Sequence, residues 1–219
     1  CNQYNDFEKM HLVHKLIAEE VGFSKVFNVY KQKYGNKTSE IIKNAEERFL
    51  RYICNEIMPS IYEIKNSKAN KIIRNINKKY IDFNILNDTK EQLNKVINEM
   101  PENSIEKFLE KLFSLDIFSR SNYLDLCKSY DESDDVDFLH SVIDIKAIEF
   151  YNYYLQYSEK TLLQTMHGTK GNEFNHVIIN INEITPWNKY NFPKLLKNQP
   201  MKDTVKIRTE KLLYVTCTR

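Results

Sequence analysis

Along the first 150 residues apolar side chains recur every three or four positions, which predicts helices separated by short polar breaks. Met10, Val13, Leu16, Ile17 and Val21 keep this spacing, and so do Ile42, Ala45, Phe49, Ile53 and Ile57 before Pro59 interrupts the pattern. Asn103 followed by Glu106 reads as a capping pair opening IEKFLEKLFSLDIF, where Ile105, Phe108, Leu109 and Leu112 form one stripe. DESDDVD, residues 131 to 137, reads as a solvated acidic loop, since its spacing lacks the glycine and terminal Glu of a calcium loop. Ile145, Ile148, Tyr151 or Asn152, and Leu155 then predict one more amphipathic helix.

From Thr161 the period changes. TLLQTM and HVIININ are short apolar runs rich in β-branched residues and bounded by Gly and Asn, the pattern of two buried strands around a glycine-containing turn. TPWNKYNFPKLLKNQP reads as a long surface connection with a few aromatic anchors. In KIRTEKLLYVTC, Ile207, Leu212 or Leu213, and Val215 suit a helix, with Tyr214 in the core. Strand, turn, strand, loop and helix at the end of a helical chain predict an α/β class, divided into a mainly helical region over 1–143 and a sheet-containing one over 144–219.

Composition adds bounds. With 219 residues and 42% hydrophobic side chains a sizeable core is feasible. No apolar run approaches the ~20 residues of a membrane span, and no secretory N-terminal segment is visible, so the cytoplasm is the expected compartment. Cys1, Cys54, Cys127 and Cys217 form no C-x-x-C pair and read as buried thiols. His11 and His14 would share a helix face, but no third ligand accompanies them, and no metal site is expected. The net charge of +2 is uneven: residues 151 to 219 carry ten Lys or Arg against five acids, which fits a nucleic acid partner.

The chemistry concentrates in TMHGTKGNEF, residues 165 to 174, which holds Gly168 and Gly171, two of the four glycines of the chain. A turn of this kind at a strand end offers backbone N–H groups, a hydroxyl, an imidazole and a cation to phosphate oxygens. Ligands of open α/β sheets bind at such ends. The turn is no Walker A loop, because G-x-x-x-x-G-K-[ST] occurs nowhere in the chain.

TMHGTKGNEF resembles the T-x-H-x-x-K-G-x-E-F segment, motif V, of the UvrD/Rep-type superfamily 1 DNA helicases, and RTEKLLYVTCTR resembles their motif VI, E-x-x-R-L-x-Y-V-x-x-T-R-A. The two stand in the family's order, about 40 residues apart, over roughly the last quarter of the chain. The resemblance implies the C-terminal part of an ATP-driven motor on single-stranded DNA, with a partial RecA-like parallel-sheet domain behind a helical subdomain. It implies DNA contacts from Thr165, His167 and Lys170, with Gly171 shaping the turn. Glu173 would reach the ribose of the nucleotide, and Arg219 the γ-phosphate. ATP and Mg²⁺ would be bound mainly by the first motor domain, whose motifs this chain lacks, so the chain alone should neither hydrolyse ATP nor unwind DNA. Asn172 replaces the usual Leu of motif V. WNKYNF resembles a subgroup found in mobile-element or phage-defence settings beside a nuclease, which adds a nuclease to the expected partners. The competing expectation is a non-catalytic helical interaction module that docks a partner through Trp187, Tyr190 and Phe192.

Overall fold

The computed structural model describes residues 8–11, 14–68, 83–116, 118–158, 163–165, 177–180 and 189–217. They fall into two compact units: one joins Cys1–Glu20 to Glu159–Arg219, and the other is the intervening Val21–Ser158. The second unit is thus an insertion within the first.

The first unit contains β1 (Glu8–His11), α1 (His14–Val21, as far as Glu20), β2 (Leu163–Thr165) and β3 (Val177–Asn180). The strands form one parallel sheet in the order β2-β1-β3. Lys9 lies opposite Leu163 and Ile178, and His11 lies opposite Thr165 and Asn180. β3, VIIN, has the β-branched residues that favour a pleated surface. β1, EKMH, has none, and its conformation rests on ladder bonds to a neighbour on each side. Met10 therefore belongs to a strand and not to the helical stripe expected of it. His11 ends that strand while His14 opens α1, so the two share no helix face.

The expected class, α/β with a partial RecA-like parallel-sheet domain, is overturned. The described chain is overwhelmingly helical, and its strands have only four, three and four residues. The two late apolar runs do form strands over their described residues, Leu163–Thr165 and Val177–Asn180.

The second unit packs α2 (Ser24–Tyr34), α3 (Thr38–Asn44), α4 (Arg48–Tyr52), α5 (Met58–Glu63), α6 (Phe83–Asn98), α7 (Ile105–Ser114), α8 (Arg120–Lys128), α9 (Ser133–Ile143) and α10 (Ala147–Tyr157). Ile105, Phe108, Leu109 and Leu112 are all fully buried, as their spacing predicts. The cap of α7 is Ser104, whose hydroxyl accepts from the Lys107 N–H at 3.4 Å, and not Asn103, whose amide donates to Glu99. Ile42, Ala45, Phe49, Ile53 and Ile57 are likewise buried, but they do not share one helix. Ala45 takes a left-handed φ of 47° that ends α3, and Ile53–Ile57 is a π-helical turn before Pro59 opens α5. The acidic run expected as a loop starts α9 instead, with Asp134 and Asp135 in the first turn, where the helix dipole favours carboxylates.

Aromatic rings fill this core. Phe49 and Phe150, both fully buried, meet edge to face at 5.6 Å, and Tyr30 meets Phe138 at 5.1 Å. A buried polar node lies beside them. Glu47 caps α4 by accepting from the N–H groups of Phe49 at 2.9 Å and Leu50 at 3.2 Å. Its carboxylate also accepts from the hydroxyls of Tyr30, at 2.7 Å, and Tyr130. Burial first, and the Glu47 charge second, hold both phenols well above their ordinary pKa, so they stay donors.

Candidate functional site

The three strands are described as far as a row of paired residues. The central one is His11, flanked in register by Thr165 on β2 and Asn180 on β3. Adjacent strands lie about 4.8 Å apart, so a ligand of phosphate size spans two of them. The row consists of a His, a Thr and an Asn. Of the residues singled out in the sequence, Thr165 closes β2 and so belongs to this row. His167, Lys170, Gly171, Asn172, Glu173 and Arg219 lie outside the described residues, as does Trp187.

Two helices complete the described part of this unit: α11 (Phe192–Leu196) and α12 (Asp203–Cys217), whose end precedes Arg219 by two residues. Asn191 caps α11 by accepting from the Lys194 N–H at 3.0 Å. Its own N–H donates to the Thr209 hydroxyl at 3.1 Å, which ties the start of α11 to α12. Thr209 in turn donates to the Val205 carbonyl, and Thr216 to the Leu212 carbonyl, each at 2.7 Å. These bonds let two threonines be fully buried beside Leu212.

That arrangement corrects the expected face of α12. Its buried stripe runs through Thr209, Leu212 and Thr216, with the half-buried Val205 one turn earlier, which rotates Ile207 and Tyr214 to the opposite side. Ile207 is 49% exposed and Tyr214 68%, so Tyr214 is not a core residue. The stripe was missed because threonine scores as polar until its hydroxyl finds a carbonyl one turn back.

Phe192 is buried and stacks on Tyr190 with centroids 6.4 Å apart, so it packs its own unit and offers no docking anchor. Residues 189–217 carry seven Lys or Arg against two acids, Asp203 and Glu210. The one of these acids seen paired to a cation, Glu210, meets Lys206 at 3.9 Å with both side chains about half exposed, which leaves the local field positive.

The densest polar clusters elsewhere are structural. In the second unit Asp135 receives Lys33 at 2.7 Å and Arg48 at 2.9 Å, and Arg48 lies 4.2 Å over the ring of Tyr130. The bonds from Lys33, ahead of those from Arg48, hold the Asp135 carboxyl below its usual range. Burial pushes the Cys54 thiol up to about 12, which makes it inert, whereas Cys217 is exposed and departs from the expectation of four buried thiols. Among the described residues no helix is long and apolar enough to cross a membrane.

Against known proteins, the chain is similar to the Gabija protein GajB of Bacillus cereus (strain HuB5-5). The two are 21% identical over an alignment of 265 positions that covers 98% of this chain and 38% of that protein. This chain therefore spans well under half the length of the relative it matches. No family model matches the chain, and no solved structure matches it. The likeness is distant.

Proposed function

We propose that this chain is the C-terminal portion of an ATP-dependent helicase or translocase that couples ATP hydrolysis to movement on single-stranded DNA. The observation that carries the reading is the pair TMHGTKGNEF and RTEKLLYVTCTR, in helicase order, within a chain that aligns along its length with the Gabija protein GajB. In this reading Thr165, His167 and Lys170 hold the polynucleotide backbone, and Glu173 reaches the ribose. Arg219 brings its planar guanidinium to the γ-phosphate, where it stabilises the charge that spreads over the phosphoryl oxygens as the bond to the leaving oxygen lengthens. ATP and Mg²⁺ are held mainly by another part of the full-length protein. A nuclease partner rests on the WNKYNF likeness alone, and co-purification from cells tests it.

The deciding experiment is DNA-stimulated ATP turnover by the full-length protein. Arg219→Ala abolishes turnover while sparing most DNA affinity, whereas His167→Ala mainly removes the stimulation by DNA. Unchanged rates in both variants refute the assignments. Robust turnover by the 219 residues alone refutes the division of labour.

A further inference from the structure

The chain enters the inserted unit at Val21 and leaves it after Ser158, so α2 and α10, the first and last helices of that unit, carry its two ends. Three contacts from α10 hold the start of α2. The Asn152 amide donates to the Gly22 carbonyl at 3.1 Å. The ring of Tyr153 meets that of Phe23 edge to face at 5.7 Å, and both rings are buried. Glu149 accepts from the Lys25 N–H at 2.8 Å. Phe23 stands at the cap position of α2 and has no side-chain oxygen for the N–H groups of the first turn. The Glu149 carboxylate is therefore a cap supplied from the far end of the insertion, at the helix end whose dipole favours a negative charge.

The two ends joined in this way lead to the sheet, where β1 stops at His11 and β2 starts at Leu163, and the two pair in parallel. Roughly 150 positions separate these strands along the chain, and a tie between Gly22 and Asn152 cuts that loop to about 22, which favours pairing by about tenfold through loop-closure entropy. From this arrangement we infer that Glu149, Asn152 and Tyr153 form a clasp at the root of the insertion, which presents the two flanking segments to the β1–β2 pairing as the ends of a short loop. The clasp stands apart from the functional reading above, since it acts on the sheet whatever the sheet binds.

Hydrogen exchange of the full-length protein, followed by mass spectrometry, tests it. Glu149→Ala combined with Asn152→Ala removes both hydrogen bonds, while Tyr153 stays because its hydroxyl also donates to the Ile42 carbonyl. Exchange should quicken at the root, residues 22–27, and by about threefold to tenfold in the untouched strands, residues 8–11 and 163–165. The buried helix α7 should keep its wild-type rate. Glu149→Gln, which retains an acceptor for the Lys25 N–H, should exchange nearly as wild type does. An unchanged root, or a quickened root with unchanged strands, overturns the inference. If α7 quickens by the same factor as the strands, the whole inserted unit and not its root governs the pairing, which overturns it as well.

Discussion

The inserted helical unit and the unit that surrounds it divide the properties of the molecule between them. In Val21–Ser158 buried polar groups are tied into the fold: Glu47 takes four hydrogen bonds, Tyr153 donates to the Ile42 carbonyl at 2.7 Å, and the half-buried Asn152 amide donates to the Gly22 carbonyl at 3.1 Å. Such groups are spent on the fold. In the surrounding unit the described chain has three short strands and two helices on a basic segment, and every residue proposed to meet a ligand belongs to it. Stability is therefore expected to be sensitive in one unit and chemistry in the other.

The sharpest way to break that contrast is a substitution that preserves charge in the outer unit. Arg219→Lys keeps the cation but loses the two-pronged guanidinium, so turnover of the full-length protein should fall nearly as far as in Arg219→Ala, by about 10³-fold. Single-turnover ATP hydrolysis reads this directly, and a variant within tenfold of wild type would place Arg219 away from the phosphoryl group. Next in size is a cavity in the inner unit. Phe150→Ala removes a fully buried ring that packs on Phe49, and should cost about 3–5 kcal/mol in urea unfolding. Glu47→Ala should cost about 2–4 kcal/mol, because it strands two phenol hydroxyls and the Leu50 N–H away from water and leaves the Phe49 N–H only its bond to the Tyr130 hydroxyl. A stability change under 1 kcal/mol in both would mean that the inner unit does not carry the stability assigned to it.

How much of this was legible in the sequence follows the same division. The stripe Ile105, Phe108, Leu109 and Leu112 was readable because helical periodicity is local, and its four members are indeed buried. The stripe from Ile42 to Ile57 gave the right core and the wrong element, since the left-handed Ala45 and the π turn leave no mark in a hydrophobic pattern. β1 was invisible. Its residues, EKMH, favour helix as readily as strand, and its partners lie at 163–165 and 177–180, more than 150 positions away. That omission also hid His11 and Asn180, whose alignment with Thr165 is a fact of register and not of spacing. Thr165 was legible because a β-branched run followed by glycines marks a strand end.

A smaller effect probes one backbone position in the inner unit. Gly22 has φ of +88°, and a Cβ there would come within 3.0 Å of the same Asn152 amide that donates to its carbonyl. Gly22→Ala should cost about 1–2 kcal/mol through the left-handed backbone and the displaced amide. Asn152→Ala removes the clash together with the bond, so the double variant should cost less than the sum of the singles. Strict additivity would separate the two residues.

The weakest expected effect concerns the ion cluster at the surface of the same unit, where Asp135 meets Lys33 and Arg48. The carboxyl is about a quarter exposed, so solvent screens the pair and Asp135→Asn should cost only about 0.5–1 kcal/mol at neutral pH. The sign of its pH dependence follows from the lowered pKa. A carboxyl that is more acidic folded than unfolded contributes in full above the unfolded value, about 4. That contribution fades as pH falls through the lower, folded value. The stabilities of wild type and Asp135→Asn should therefore differ at pH 7, converge as the pH is lowered through the folded value, and differ less at 1 M salt. A gap that instead widened in acid would mean that the carboxyl is destabilising when charged, and that the cations beside it serve something other than the fold.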